Sequence, residues 1–214
     1  MTTQNFGSSP AQNYAAYAIR NYINRTQSMH SSWIEEPPPL YFNKYEMLIV
    51  IGAPTQIIDN TCYLLLYIDY ASSPVRQLSK NAWQVRCEES LGSDAFATWA
   101  DEVAHLLIKL VTEQWMVCVD LSDIRIVMSQ GLNRQTTCLL CDWPDQHQLP
   151  QIIETASFSH AVAALFSHAE YSETEIFGTA GDLLEQTFQN NGIYIFAARR
   201  QTGAVPRLLI FGVK

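Results

Sequence analysis

Two apolar runs, Met47 to Ala53 and Tyr63 to Tyr70, are rich in β-branched and aromatic residues and are separated by Pro54 and Asp59-Asn60. Such runs predict strands buried on both faces. Ala82 to Cys87 predicts a third strand. The period then changes: between Ser93 and Gln114, Phe96, Ala100, Val103, Leu107, Leu110 and Val111 recur every three or four residues. That spacing predicts a long amphipathic helix, with Ser93 and Asp94 as its caps. A shorter helix is predicted from Leu121 to Met128, ending near Gly131. Further along, the pattern predicts a strand over Thr136 to Asp142 and helices over Gln151 to Leu165 and Gly181 to Asn190. The second of these is stopped by Asn190-Asn191-Gly192. Ile193 to Arg200 and Arg207 to Val213 read as strands joined through Gln201-Thr202-Gly203 into a hairpin.

Upstream of the first run the chain is polar, with Tyr14, Ala18, Ile19, Tyr22 and Ile23 at helical spacing, which predicts a short helix between Pro10 and Arg25. Glu35-Glu36-Pro37-Pro38-Pro39 predicts a stiff spacer, because each proline fixes its φ and restricts the residue before it. The expected organisation is therefore a polar N-terminal extension with a Pro-rich spacer over residues 1–39, followed by a single α/β domain over residues 40–214. A length of 214 residues suits one domain, and 48% apolar with 16% charged residues suits a well-buried core.

Charge narrows the partners. The formal net charge is −8 and the Lys and Arg residues are scattered, so the basic footprint that nucleic acid or an anionic membrane requires is missing. No stretch reaches the roughly 18 apolar residues of a membrane span, and Met1 to Pro10 carries neither a basic start nor an apolar run. Five cysteines at irregular spacing suit a reducing compartment. The expectation is a cytoplasmic protein.

Little in the chain reads as a metal or nucleophile site. Cys138 and Cys141 have C-x-x-C spacing, but on a strand their side chains point to opposite faces. His105, His147, His160 and His168 lack metal-ligand spacing, although His160 and His168 fit one face of a helix loosely. A nucleophilic Cys118 lacks any flanking oxyanion signature, and the neighbouring Asp120 would raise its pKa. No metal and no cofactor is expected.

The long helix and its exit carry a more specific pattern. Asp94-Ala95-Phe96, then Asp101 and Val103, then Cys118-Val119-Asp120-Leu121-Ser122-Asp123-Ile124-Arg125-Ile126-Val127 resemble the FtsZ/tubulin family. There the central helix opens similarly and is followed by Asn-x-Asp-Phe-x-Asp-[Val/Ile/Leu]-Arg-x-Val. Here Cys118 stands where that family has Asn. Leu183 to Phe188, Gly192 to Ala197 and Arg207 to Val213 resemble its last helix and strands in outline. The resemblance implies an α/β fold like the C-terminal part of the family, with the central helix packed on a mixed sheet and a short strand-containing segment before it. It further implies that Phe96 occupies the place of the ring that stacks on guanine and Asp101 that of the carboxylate that reads the base. Asp120 and Asp123 would be the acidic pair that reaches the GTP of the next subunit.

The family's phosphate cradle is missing. A loop of type Gly-Gly-Gly-Thr-Gly-Thr-Gly lets backbone N–H groups approach phosphate because no Cβ intervenes. This chain has nine glycines, none adjacent to another. No autonomous GTPase is therefore expected. The resemblance implies a protein partner, either an FtsZ-like GTPase of a cell-division or cytoskeletal filament or a second copy of this chain, contacted through Asp120 and Asp123. A trans-acting activator of the partner's GTP hydrolysis and a structural adaptor of an unrelated complex remain alternatives. Asp120 and Asp123 have an alternative of their own, as caps of the helix that follows.

Overall fold

A computed structural model of the chain describes residues 16–23, 26–31, 46–53, 62–87, 91–113, 119–143, 158–167, 173–188, 194–200 and 206–213. Its strands are β1 (Ala16–Asn21), β2 (Thr26–Ser31), β3 (Met47–Ile51), β4 (Leu64–Asp69), β5 (Ala82–Cys87), β6 (Gln135–Asp142), β7 (His160–Ser167), β8 (Tyr194–Arg200) and β9 (Arg207–Val213). Its α-helices are α1 (Ser93–Thr112), α2 (Leu121–Ser129) and α3 (Glu173–Phe188). The described strands form one mixed sheet in the order β2-β1-β3-β4-β5-β6-β9-β7-β8. Strands β1, β3, β4, β5 and β6 run parallel, β9 is antiparallel to both β6 and β7, and β8 is parallel to β7.

Alternation along the strands builds two layers of core. Met47, Ile49 and Ile51 of β3, Leu64, Leu66 and Ile68 of β4, and Leu209 and Phe211 of β9 share one cluster with the apolar stripes of α1 and α2. The intervening residues face the other way, where Leu48, Val50, Leu65 and Tyr67 pack together and Leu208, Ile210, Ala161 and Ala163 pack with Leu184 of α3. Every residue of β3 and β4 is buried, which is why their sequences read as continuous apolar runs. Helix α1 touches β1 and β3 as well as β8. Six strand spacings of about 4.8 Å separate β3 from β8, a span comparable to the roughly 30 Å length of a 20-residue helix. The expected central helix on a mixed sheet is thus present.

Several sequence expectations need correction. Residues 16–21, expected in a helix, form β1, with Tyr17, Ala18 and Ile19 buried. Both β1 and β2 lie within the expected extension, yet β1 is hydrogen-bonded to β3, so the sheet starts upstream of Leu40. The second half of the helix expected over Gln151 to Leu165 is strand β7, while residues 151–157 lie outside the described set. His160 consequently sits on a strand, and His168 is outside the described residues. Strands β8 and β9 do not form a hairpin, because β7 lies between them. Helix α1 is capped by Gly92 without a side-chain hydrogen bond, not by Ser93 or Asp94. Helix α3 starts eight residues before Gly181, at Glu173.

Candidate functional site

Buried Val119 leads into Asp120, whose extended backbone (φ −105°, ψ 176°) makes it the N-cap of α2. The Asp123 backbone N–H donates to Asp120 Oδ1 at 2.9 Å, and the Asp120 backbone N–H donates to Asp123 Oδ2 at 3.0 Å. The pair forms a reciprocal capping box that satisfies two N–H groups at the positive end of the helix dipole. Asp120 is exposed and Asp123 half-buried, and the two capping hydrogen bonds engage one oxygen of each carboxylate. Replacing Asp120 by alanine should therefore lower stability by about 0.5–2 kcal/mol, read as a shift of the urea midpoint at constant slope.

A cavity of about 360 Å³ opens beside Asp120, lined also by Tyr17, Glu46, Tyr63, Val111 and Ser122. Burial pushes the Tyr17 phenol up to about 12, and the carboxylate of Glu46, 3.5 Å from its hydroxyl, adds to the rise. Tyr63 is shifted downward, first by its hydrogen bond with Ser122 and then by Arg125. The Arg125 guanidinium lies 4.2 Å over the Tyr63 ring.

The other two candidate residues belong to the far part of α1. Phe96 is fully buried, with Tyr70 stacked on its ring at 3.8 Å and Trp99 tilted against it at 5.9 Å. A base has no open face of that ring to stack on, so the Phe96 of this conformation is a core residue. Asp101 is half-buried, and its Oδ2 lies 3.5 Å from His105 Nδ1, which is also 2.7 Å from the Asp101 carbonyl oxygen. Val111, beside Asp120, and Phe96 stand fifteen residues apart on α1. At 1.5 Å per residue that separates the acidic cap from Phe96 by roughly 20 Å. The structure brings Asp120 and Asp123 together and keeps them away from Phe96 and Asp101. Cys118 lies outside the described residues. Cys138 packs in the α1/α2 layer and Cys141 against the opposite one, so the two sulfurs diverge across the sheet.

One polar cluster escaped the sequence reading. Asp69, the last residue of β4, accepts from Arg76 Nε and Nη2, both at 2.6 Å, and from Gln84 Nε2 at 2.7 Å. The same Arg76 Nη2 donates to the Ala53 carbonyl at 2.7 Å. The cluster borders a cavity of about 150 Å³ lined by Gly52, Ala53, Tyr70 and Ser73, at the carboxyl ends of parallel strands where open α/β sheets hold ligands. Gly52 has φ +59°, and a Cβ there would come 2.7 Å from Ile23 Cγ1. The available signal was an acidic residue ending an apolar run with an arginine seven residues later.

The fold is that of the FtsZ/tubulin family. The CetZ protein of Methanosaeta thermophila strain DSM 6194 superposes with a TM-score of 0.51 at 13% identity, covering 79% of this chain and 61% of its own. A mutant FtsZ of M. jannaschii superposes with a TM-score of 0.53 at 11% identity, covering 79% of this chain and 66% of its own. The chain thus spans less than two thirds of either protein. No protein-family model and no curated protein matches its sequence.

Proposed function

We propose that this chain is a non-catalytic FtsZ/tubulin-like interaction protein that binds a filament-forming GTPase, or a related cytoskeletal or cell-division partner, through the Asp120–Asp123 end of α2. The observation that carries this reading is the contrast between the two ends of α1. At one end the side chain of Tyr70 lies on Phe96, where the family resemblance would put a base; at the other Asp120 is exposed and Asp123 half-buried while the pair caps α2. The missing glycine loops point the same way, since backbone N–H groups that closely approach phosphate need glycine.

Calorimetry with GTP and magnesium should show no saturable heat, and a dissociation constant in the low micromolar range would sink the non-catalytic reading. The acidic face is tested by Asp120→Asn combined with Asp123→Asn. Asparagine keeps the N-cap hydrogen bond, so only the charge–dipole part, about 0.3–1 kcal/mol per carboxylate, should be lost and the fold should be retained. Co-sedimentation with a polymerised FtsZ/tubulin-type GTPase should fall, and unchanged co-sedimentation would leave the pair as helix caps. The exposure of Asp120 also favours a second reading, a trans-acting activator of hydrolysis. It requires the wild-type protein to raise the partner's phosphate release and the double substitution to abolish that rise.

A further inference from the structure

A groove of about 880 Å³ runs between residues 75–80, β5 and α2. Four cationic side chains line it, Arg76, Lys80, Arg125 and Arg134, of which Arg76 is already ion-paired with the buried Asp69. No Asp or Glu is among its described lining residues. In a chain with 21 acidic against 13 basic residues, such local segregation of positive charge runs against the overall balance. The walls between the cations are apolar: Val75 and Ile126 stand 57% and 46% exposed, and the indole of Trp83 lies on the floor. Exposed apolar side chains rimmed by charge mark interaction surfaces more often than isolated ones do.

The cations are placed by the fold. Arg125, on the outer face of α2, is held over the Tyr63 ring at 4.2 Å. Arg134 follows Asn133 in the short 3-10 turn after α2, and the two have φ of 56° and 57°, a region disfavoured for residues with a Cβ. That backbone lets the Arg134 guanidinium donate to the carbonyl of Ser79 at 3.1 Å and to that of Lys80, with its Cζ 5.4 Å from the centroid of the Trp83 ring. Backbone in such a region persists where the surroundings hold it, and it is common at binding sites.

We propose that this groove docks an acidic peptide segment of a protein partner, with an apolar side chain seated between Val75, Ile126 and Trp83 and its carboxylates against Lys80 and Arg125. Charge complementarity selects that occupant. A short acidic segment feels mainly the charges within a Debye length of about 8 Å, whereas a long polyanion also meets the repulsion of the whole anionic chain. Affinity for nucleic acid scales with the number of phosphates neutralised, and four cations, one of them already paired with Asp69, neutralise few. Neither aspartate lines the groove, which adjoins the cavity beside Asp120 through Tyr63 and Ser122, and Lys80 and Ile126, which line the groove alone, let each proposal fail without the other.

The test uses the full chain and fluorescence anisotropy of a short fluorescein-labelled peptide of Glu and Asp flanking a central Leu-Phe pair. Its Gln/Asn counterpart, a single-stranded oligonucleotide and phosphatidylserine-rich vesicles serve as competing probes. The acidic peptide should bind saturably and more weakly as salt rises, and its neutral counterpart should not. Lys80→Glu with Arg125→Glu should weaken binding about tenfold or more, as charge reversal across a complementary surface does. Ile126→Asp, at a solvent-facing helix position, should weaken it comparably, and melting curves establish that each variant is folded. Absence of saturable binding, binding indifferent to all three substitutions, or tighter binding of the oligonucleotide or vesicles would overturn the proposal.

Discussion

Gly212→Ala is expected to destabilise the protein by about 3 kcal/mol or more, a large part of the roughly 5–15 kcal/mol that holds a domain folded. Gly212 lies on β9 between Thr137 of β6 and Ala161 of β7. A Cβ at this position would be driven into the carbonyl oxygen of His160 and would stand 2.9 Å from the Ala161 Cα. Both obstacles are backbone in a strand that is itself paired on two sides, so relief requires β7 or β9 to shift within the sheet. Gly178→Ala is the matched control. It lies at an exposed position of α3 where a Cβ would meet nothing within 4 Å, and alanine there should stabilise by up to about 1 kcal/mol. Urea unfolding of the two variants beside the wild type should give midpoints displaced in opposite directions. An unchanged midpoint for Gly212→Ala would mean that β9 does not sit tightly against β7 as described.

The elements that could be read from sequence are those whose own residues determine their period. The continuous β-branched and aromatic runs of β3 and β4, buried on both faces, and the three-four spacing of α1 come from each element's own residues, so Met47 to Ile51 and Ser93 to Thr112 are visible without knowing what covers them. Strand β1 was misread because Ala18 and Tyr22 fit a helical stripe, although Tyr17, Ala18 and Ile19 in succession are buried as in an interior strand. Ala161 to Leu165 carries no period at all, and a short apolar run of that kind suits helix and strand equally. The hairpin was a matter of neighbourhood: β8 and β9 are adjacent in the chain, but β7 separates them in the sheet, and no local signal encodes that order. The site divides in the same way. The Asp120–Asp123 capping box is local, with partners three residues apart, and its geometry follows from the sequence. The ring that covers Phe96 comes from Tyr70, beyond another strand and loop, and only the folded chain brings it there.

Long-range assembly of this kind also underlies the other large effect, expected at Asp69. Its carboxylate is 3% exposed and the Arg76 side chain 7%. Each partner is further tied down: the Arg76 backbone N–H donates to Gln84 Oε1 at 3.0 Å, Gln84 Nε2 also donates to the Pro74 carbonyl at 3.0 Å, and the guanidinium lies 4.4 Å over the Tyr67 ring. The bidentate pair thus fastens residues 74–76 to the ends of β3 and β4 and to the middle of β5. Asp69→Ala leaves a buried guanidinium without its counter-charge, and breaking a buried pair from one side costs about 3–5 kcal/mol. Arg76→Lys should also be severe, because an ammonium cannot reproduce two parallel N–H···O bonds while reaching the Ala53 carbonyl. Replacing both partners, Asp69→Leu with Arg76→Met, removes the stranded charge and should recover much of the loss, since buried ion pairs barely outweigh apolar substitutes of similar volume. A double-mutant cycle on Asp69→Leu, Arg76→Met and their combination reads this as a coupling energy between the two sites. Strictly additive losses would show that the two charges do not depend on each other, and the pairing drawn here would then be wrong.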